Sequence, residues 1–394
     1  MGLLAILPSD ARDRDPPGCP DDLRKAPSRL CRLARGVGAG LGLILAATTG
    51  LADPIRVATF AAPLSRDGPG LLLRDILKGD DPGIAAIAAV IAHADPDILI
   101  LTDFDYDADQ VALAAFADLL AQSGAPYPHR FARAPNSVWM TDLDLDGDGR
   151  LGGAADRQGF GFFAGDNGMA VLSRLPIDTG ASVDLSDVLW RDLAGATLPE
   201  DDFPSAEAQA VQRLSSSGHW IVRIAPLDDP PFDLLVYAAT PPVFDGPEDL
   251  NGLRGRDELR LWTAVLDGAF GRVPDSFILA GNSNLDPVDG DGFAGAMADF
   301  LAAPRLQDPA PRSAGAALAP DPDHRGDPAL DTADWPEGEP GNLRVSYVLP
   351  SVDWTVSGAG VFWPAPDDPA AVLLGDDGLA AGPHRLVWVD LRRE

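Results

Sequence analysis

The side chains able to do chemistry in this chain are grouped, and most are oxygen donors. The stretch "FILAGNSNLDPVDGDG" (277–292) runs as an apolar strand into two amides, Asn282 and Asn284. An amide at a strand end can exchange hydrogen bonds or lend an oxygen to a hard cation, but it cannot take up a proton near neutral pH. "DLDLDGDGRLGGAADRQGFG" starts at Asp142 and alternates carboxylates. Asp142, Asp144, Asp146 and Gly147 match the first, third, fifth and sixth positions of a calcium loop, and Asp144, Asp146, Asp148 and Gly149 match them again two residues on. Neither register has Glu at the twelfth position, where Gly153 or Ala155 falls, and Asp156 comes one residue late for the second. Such a loop either converges on one Ca²⁺ or is a solvated acidic loop. "DPVDGDG" (286–292) is closer to a turn.

Two more segments are rich in ligands. "TDFDYDAD" carries Asp103, Asp105, Asp107 and Asp109, and "HRGDPALDTADW" carries His324, Asp327, Asp331 and Asp334. Together they could build a divalent-metal site. The plainer reading, which we favour for Asp107 or Asp109, is that one of them caps the helix that follows. His384 in "GPHRLVWVDL" is a lone imidazole, either a proton carrier or a hydrogen-bonded core residue. Asn282 and Asn284 can equally be turn formers after a strand.

The elements that must hold these groups alternate between strand and helix. "IRVATF" (55–60), "ILIL" (98–101), "MAVLS" (169–173), "WIVRIAPL", "DLLVYAAT", "FILAG", "LRVSYVL", "WTVSGAGVF" and "RLVWVDL" read as strands. "GIAAIAAVIAHADPD" reads as a helix stopped before Pro96, and "ADQVALAAFADLLAQSG" as an amphipathic helix ended at Gly124. Helices are also expected over 257–266 and 293–301. Several strands are apolar on both faces, which implies sheets packed on each other with helices outside, a layered α/β domain. No repeat of fixed period and no linker divides 55–391.

The pieces "VATFAAPLSRDGPG", "PDILILTDFDYD", "NGMAVLSRLPI", "VYAATPPVFDGPEDLNG", "LAGNSNLDPVDGDG", "NLRVSYVLPS" and "GPHRLVWVDL" occur in an order that resembles the endonuclease/exonuclease/phosphatase family. "HRGDPALDTADW" and "TPPVFDGPEDLNG" further resemble a bacterial exported branch of it. The resemblance implies a deoxyribonuclease I-like fold, a four-layered α/β sandwich of two mostly antiparallel sheets with helices outside. It also implies phosphoester hydrolysis with a divalent metal. In the family a carboxylate helped by an Asn holds the metal and an Asp activates water. An Asp–His pair and a second His stabilise the phosphoryl group.

Position by position this chain departs from that inventory. Asp103 stands where the metal-holding Glu is usual, shorter but still a hard-oxygen ligand. Ala61 replaces the Asn after the first strand, Ala238 replaces a His, and Ser346 replaces the Asp before the Tyr of "SYVL". Asn282 replaces the base while Asn284 is kept. Pro383 replaces the Asp that would orient His384. Losing one member of a coupled site typically costs about 10³-fold or more, and such losses do not rescue one another. The expectation is therefore a site retained in shape and emptied of charge, a pseudo-phosphoesterase or binding module. The alternative is a divergent divalent-metal-dependent phosphodiesterase or phosphatase with relocated ligands, for which Mg²⁺ or Mn²⁺ would be required.

Composition narrows the partners. The 394 residues carry a formal charge of -30 with 46% hydrophobic content, and 37 prolines and 41 glycines imply many turns. That field repels long nucleic acid, leaving a small phosphoester or a protein as the expected ligand. In "RLCRLARGVGAGLGLILAATTGLADP" arginines 29, 32 and 35 precede an apolar run, with Gly50 and Ala52 at -3 and -1 of a cut before Asp53. We read residues 1–52 as leader and signal peptide, residues 53–394 as one domain, and the mature chain as periplasmic or extracellular. The apolar run is shorter than the ~20 residues a spanning helix needs, so no stable membrane span is expected in the mature protein. Both cysteines, Cys19 and Cys31, precede the cut, which leaves the mature chain without disulfides or thiolate ligands.

Overall fold

Eleven strands form two sheets in the computed structural model, which describes residues 53–336 and 340–393. The leader and both cysteines lie outside the described residues. Strands β1 (Ile55–Phe60), β2 (Ile98–Phe104), β3 (His129–Phe131), β4 (Gly168–Ser173), β10 (Thr355–Val361) and β11 (Val387–Arg392) make one sheet in the order β10-β11-β1-β2-β4-β3. Strands β5 (Ile177–Asp184), β6 (Gly218–Ile224), β7 (Phe232–Ala238), β8 (Phe277–Asn282) and β9 (Ser346–Pro350) make the other in sequential order. Only β1–β2 and β7–β8 are parallel pairs. Each is joined through helices, as a parallel crossover requires: α1 (Leu71–Lys78) and α2 (Pro82–Ala94) for the first, and α5 (Leu250–Leu266) for the second. The remaining helices are α3 (Val111–Gln122), α4 (Ala206–Val211), α6 (Ala294–Leu301) and α7 (Ala314–Ala317).

The alternation along the inner strands explains the layering. On β7, Leu234 and Val236 join the core shared with β1 and β2, while Leu235 and Tyr237 face the helix side with Leu259 and Trp262 of α5. On β8, Ile278 and Ala280 face inward and Phe277 and Leu279 outward. Both faces of these strands are thus covered, as their continuous apolar runs demand. The result is the four-layered α/β sandwich. Helix α2 starts where the sequence indicates, with Asp81 accepting from Ile84 N at 2.9 Å and Pro82 in the first turn.

Helix α5 begins at Leu250, earlier than the expected 257, because its first turns hide charge rather than display an apolar stripe. Buried Arg254 donates to the carbonyls of Leu214, Arg213 and Ser215. Buried Glu258 accepts from Ser216 N and Thr240 N, each at 2.6 Å. These bonds fix the chain that leads into β6 and the chain that leaves β7, beside Ala238 at the strand ends. Among the described residues, no helix is long and apolar enough to cross a membrane.

Candidate functional site

Pairing register brings the expected positions together at one end of the sandwich. Ala238 pairs with Asn282, and Asn282 with Ser346, so the ends of β7 and β8 and the start of β9 set three uncharged side chains in a row. The first and second strands pack across from them and end beside Ala61 and Asp103. Thr59 pairs with Val387, and continuing that register sets His384 opposite Ala62. The chain there is tightly packed, since a Cβ on Gly382 would fall 2.6 Å from Pro63. Ala61 and Ala238 are buried, so that part of the floor is apolar.

The polar groups are either spent locally or orphaned. Asn282 Oδ1 accepts from Asn284 N at 3.2 Å, and Asn284, with φ 53°, donates through Nδ2 to the Ala239 carbonyl at 2.7 Å. Both amides therefore shape a turn. Ser346 Oγ and His384 Nδ1 are enclosed without a hydrogen-bond partner. Burial, then the charge of Arg385, pushes the His384 imidazole down to about 4, so the ring is neutral. Its neighbour is the edge of Trp335, with ring centroids 5.0 Å apart.

A short segment ties this region together. Thr332 N and Ala333 N donate to the Leu343 carbonyl (2.9 and 3.1 Å), Arg385 N to the Thr332 carbonyl (2.8 Å), and Asp334 N to the Pro383 carbonyl (2.9 Å). Thr332 Oγ1 accepts from Val345 N and Ser346 N. Residues 332–334 thus bridge β9 of one sheet to the lead-in of β11 in the other.

At the end of β2, Asp103 is half-buried, and its Oδ1 is enclosed with no donor. Burial, followed by the charges of Asp105 and Asp166, pushes its carboxyl up to about 7 against the opposing pull of Arg66. Asp105 is pushed up to about 6, again chiefly by burial. Ser65 Oγ lies 2.5 Å from Asp105 Oδ1 and 2.7 Å from Asp166 Oδ1, and it also accepts from Asn167 N. One hydroxyl proton is shared between two carboxylates, a crowding of acceptors that goes with the raised Asp105 carboxyl. The sequence reading missed Ser65 and Asp166. The only local signal was an acid immediately before the "NG" that opens β4.

The other candidate ligands disperse. Asp107 accepts from Val111 N and Ala112 N at the start of α3, as a helix cap should, and Asp109 is exposed. Asp327 pairs with Arg312 and Asp334 with Arg385. His324 Nδ1 meets the Asn342 carbonyl at 2.9 Å. Among the family positions that the resemblance implies, Asp103 is the one carboxylate, standing with Ala61, Asn282 and Ser346. That donor set is poorer in anionic and imidazole ligands than the one the family resemblance implies.

The acidic loop is different. Single oxygens of Asp144, Asp146 and Asp156 all lie within 4.8 Å of one another and could hold a metal ion. Asp156, one place late in the linear pattern, reaches the group because it accepts from Leu145 N (3.0 Å) and Gly153 N (2.8 Å), anchored by buried Leu145. Asp144 accepts from Gly147 N (2.6 Å) and Gly149 N (2.8 Å), and those two glycines have φ of 77° and 80°. Burial pushes the Asp144 carboxyl up, but the Gly149 and Gly147 N–H groups, together with the hydrogen bond to Asp146, outweigh it and hold it below the ordinary range. Burial raises Asp146. Asp142 and Asp148 are exposed and stand outside the trio.

On the same side, Trp139, Phe160 and Phe162 are exposed. Phe160 and Phe162 meet edge to face, Arg213 lies over Trp139, and Phe162 N donates to Asp166 Oδ2. This aromatic rim therefore adjoins the Ser65–Asp105–Asp166 group.

The endonuclease/exonuclease/phosphatase family matches residues 76–381. An endonuclease/exonuclease/phosphatase from Beutenbergia cavernae is similar in structure, with TM-score 0.50 and 21% identity over 86% of this chain and 72% of its own. A family protein from Leptotrichia buccalis gives TM-score 0.47 and 13% identity over 86% of this chain and 99% of its own. The human Nocturnin catalytic domain with bound sulfate anion gives 0.46 and 16% over 87% and 94%. No curated protein matches the sequence.

Proposed function

This chain belongs to the endonuclease/exonuclease/phosphatase family, and we propose that it is an exported, catalytically impaired member that works as a binding module. The observation that carries the reading is the row Ala238–Asn282–Ser346, three neighbouring strand positions that carry no charge where the family resemblance implies a His, a base and an Asp. A neutral His384 without an orienting carboxylate supports it, as does an Asp103 whose protonated form is favoured up to about pH 7. No step through a metal at this cleft follows from such residues. What remains is an apolar-floored cleft with an aromatic rim, suited to a small phosphoester or a protein segment. The charge of -30 disfavours long nucleic acid.

The ion we assign to Asp144, Asp146 and Asp156 is Ca²⁺. All-oxygen donors, alternating Asp and left-handed glycines suit a large hard cation, whose role would be to hold the loop under the rim.

The competing reading, a divergent phosphodiesterase or phosphatase with relocated ligands, draws on the acidic group of Asp103, Asp105 and Asp166. The deciding experiment is hydrolysis of bis(p-nitrophenyl) phosphate and of a phosphomonoester with Mg²⁺, Mn²⁺ or Ca²⁺, beside a His384→Ala control. We expect no turnover above the control. Metal-dependent turnover abolished by the substitution would overturn the impaired reading.

A further inference from the structure

At the end of the sandwich opposite the strand-end cleft lies a groove of about 570 Å³. Its walls are the lead-ins to β7 and β8, the turn between β9 and β10, and the residue that follows β11. The cleft, by contrast, is built on the ends of β7 and β8 and the start of β9. Pro230, Pro231, Val352 and Trp354 give the groove apolar surface. Asp275, Asp353 and Arg393 give it charge of both signs.

Arg393 is the fixed point. Its guanidinium lies 4.4 Å from the centroid of the Trp354 ring and 5.3 Å from that of Phe232, and those two rings meet edge to face at 5.1 Å. It donates to the Pro230 carbonyl and to Ser276 Oγ, which ties the side chain to two walls at once. Buried Arg385 and Arg344 pair with Asp334 and Asp308. Half-buried Arg393 forms no ion pair with a described residue. Burial holds its guanidinium below the ordinary value, and the charges of Asp353 and Asp229 only partly oppose that. After its two bonds, each Nη keeps a second hydrogen, while Nε is enclosed without an acceptor. The indole N–H of Trp354, a residue 3% exposed, is likewise enclosed and unmatched. The arginine is thus held in place and short of acceptors.

We propose that this groove binds a zwitterion of dipeptide size with apolar side chains, its carboxylate on Arg393, its ammonium against Asp275 and Asp353, and its body on Pro230, Pro231 and Val352. A guanidinium fixed against aromatic faces is preorganised to meet a carboxylate. Asp275 and Asp353 are both exposed on the groove, and Asp353 Oδ1 accepts from Ser351 Oγ, which orients that carboxylate and leaves Oδ2 for a ligand. An anion alone would be repelled by these two acids, and a cation alone by Arg393. A ligand with both charges satisfies all three. The volume is that of a small-molecule site, and Val352, 59% exposed, offers apolar surface that nothing described covers. The inference uses neither the cleft nor the acidic loop.

The test is calorimetric titration of the full chain with leucyl-leucine, its N-acetyl derivative and its C-terminal amide. Leucyl-leucine should bind, and each capped peptide should bind roughly tenfold more weakly or worse, as loss of a charged hydrogen bond implies. Arg393→Gln should erase the preference over the amide, and Asp275→Asn with Asp353→Asn the preference over the N-acetyl form. Val352→Glu alters one exposed side chain and should also weaken leucyl-leucine. Melting curves of all variants separate lost binding from lost folding. No heat of binding at about 1 mM peptide would overturn the proposal. So would a cap at either end that costs nothing, or a preference that survives Arg393→Gln. None of these outcomes bears on phosphoester hydrolysis at the other end of the sandwich.

Discussion

In the loop at 141–156, the carboxylates of Asp144 and Asp156 are each met by two main-chain N–H groups. At the strand ends, Asp103 Oδ1 meets no donor and Asp105 shares one hydroxyl with Asp166. The contrast teaches how this chain keeps or discards charge. Asp144 stays below the ordinary carboxylate range despite its crowding, because oriented donors replace water. Asp103, withdrawn from water and given nothing in exchange, is driven towards its protonated form. A cation is attracted to the first region and has little to hold it in the second.

The largest expected effect would come from giving the second region what it lacks. A chain carrying Ala61→Asn, Ala238→His, Asn282→Asp, Ser346→Asp and Pro383→Asp together should hydrolyse bis(p-nitrophenyl) phosphate with Mg²⁺ about 10³-fold faster than the starting chain. Asn282→Asp alone should stay at background, because members of a coupled site do not act singly. Turnover from that single change would mean the cleft still holds a metal, and the contrast would collapse.

Removing Ca²⁺ sharpens the comparison from the other side. At free Ca²⁺ a hundredfold above Kd, an ion at the trio stabilises the fold by about 2.7 kcal/mol. Chelation should therefore lower the melting temperature by several degrees, and Asp156→Asn should abolish that response.

A subtler effect lies in the pH dependence of urea unfolding. Asp103 has a folded value of about 7, above its unfolded value, so the fold binds its proton more tightly. Stability from this group is full below the ordinary carboxylate range and is lost as pH rises towards 7. His384 has a folded value of about 4, below its unfolded value. Its part is full above pH 6.5 and is lost as pH falls to 4. Asp103→Asn should flatten the first loss and His384→Gln the second. An unchanged profile in both would show that the strand ends are more hydrated than the geometry indicates. The smallest expected effect is Asp107→Ala, which removes two bonds at the start of α3 and should cost about 1 kcal/mol in chemical denaturation without touching either region.

Strands such as β1 and the apolar part of β8 were readable because both faces are buried and the runs are unbroken. Strand β5 was not: "IDTGASVD" lies mostly exposed at the sheet edge, so no apolar pattern marks it. The three residues of β3 are too few to show a period. In the site, Ala238, Asn282 and Ser346 could be placed because strand order fixes which ends are neighbours. The partnership of Ser65 with Asp166 could not, since it joins distant segments through a single hydroxyl. Likewise Asp156 joins the trio through a turn whose reach depends on φ at Gly147 and Gly149, which spacing alone does not report.

Residues 332–334 hydrogen-bond on one flank to Leu343, Val345 and Ser346 and on the other to Pro383 and Arg385. This is main-chain stitching between the two walls of the cleft, one from each sheet. A sandwich fastened in that way resists parting of its sheets at that end, and the amides of Thr332, Ala333 and Arg385 should exchange with solvent as slowly as those of the sheet interiors.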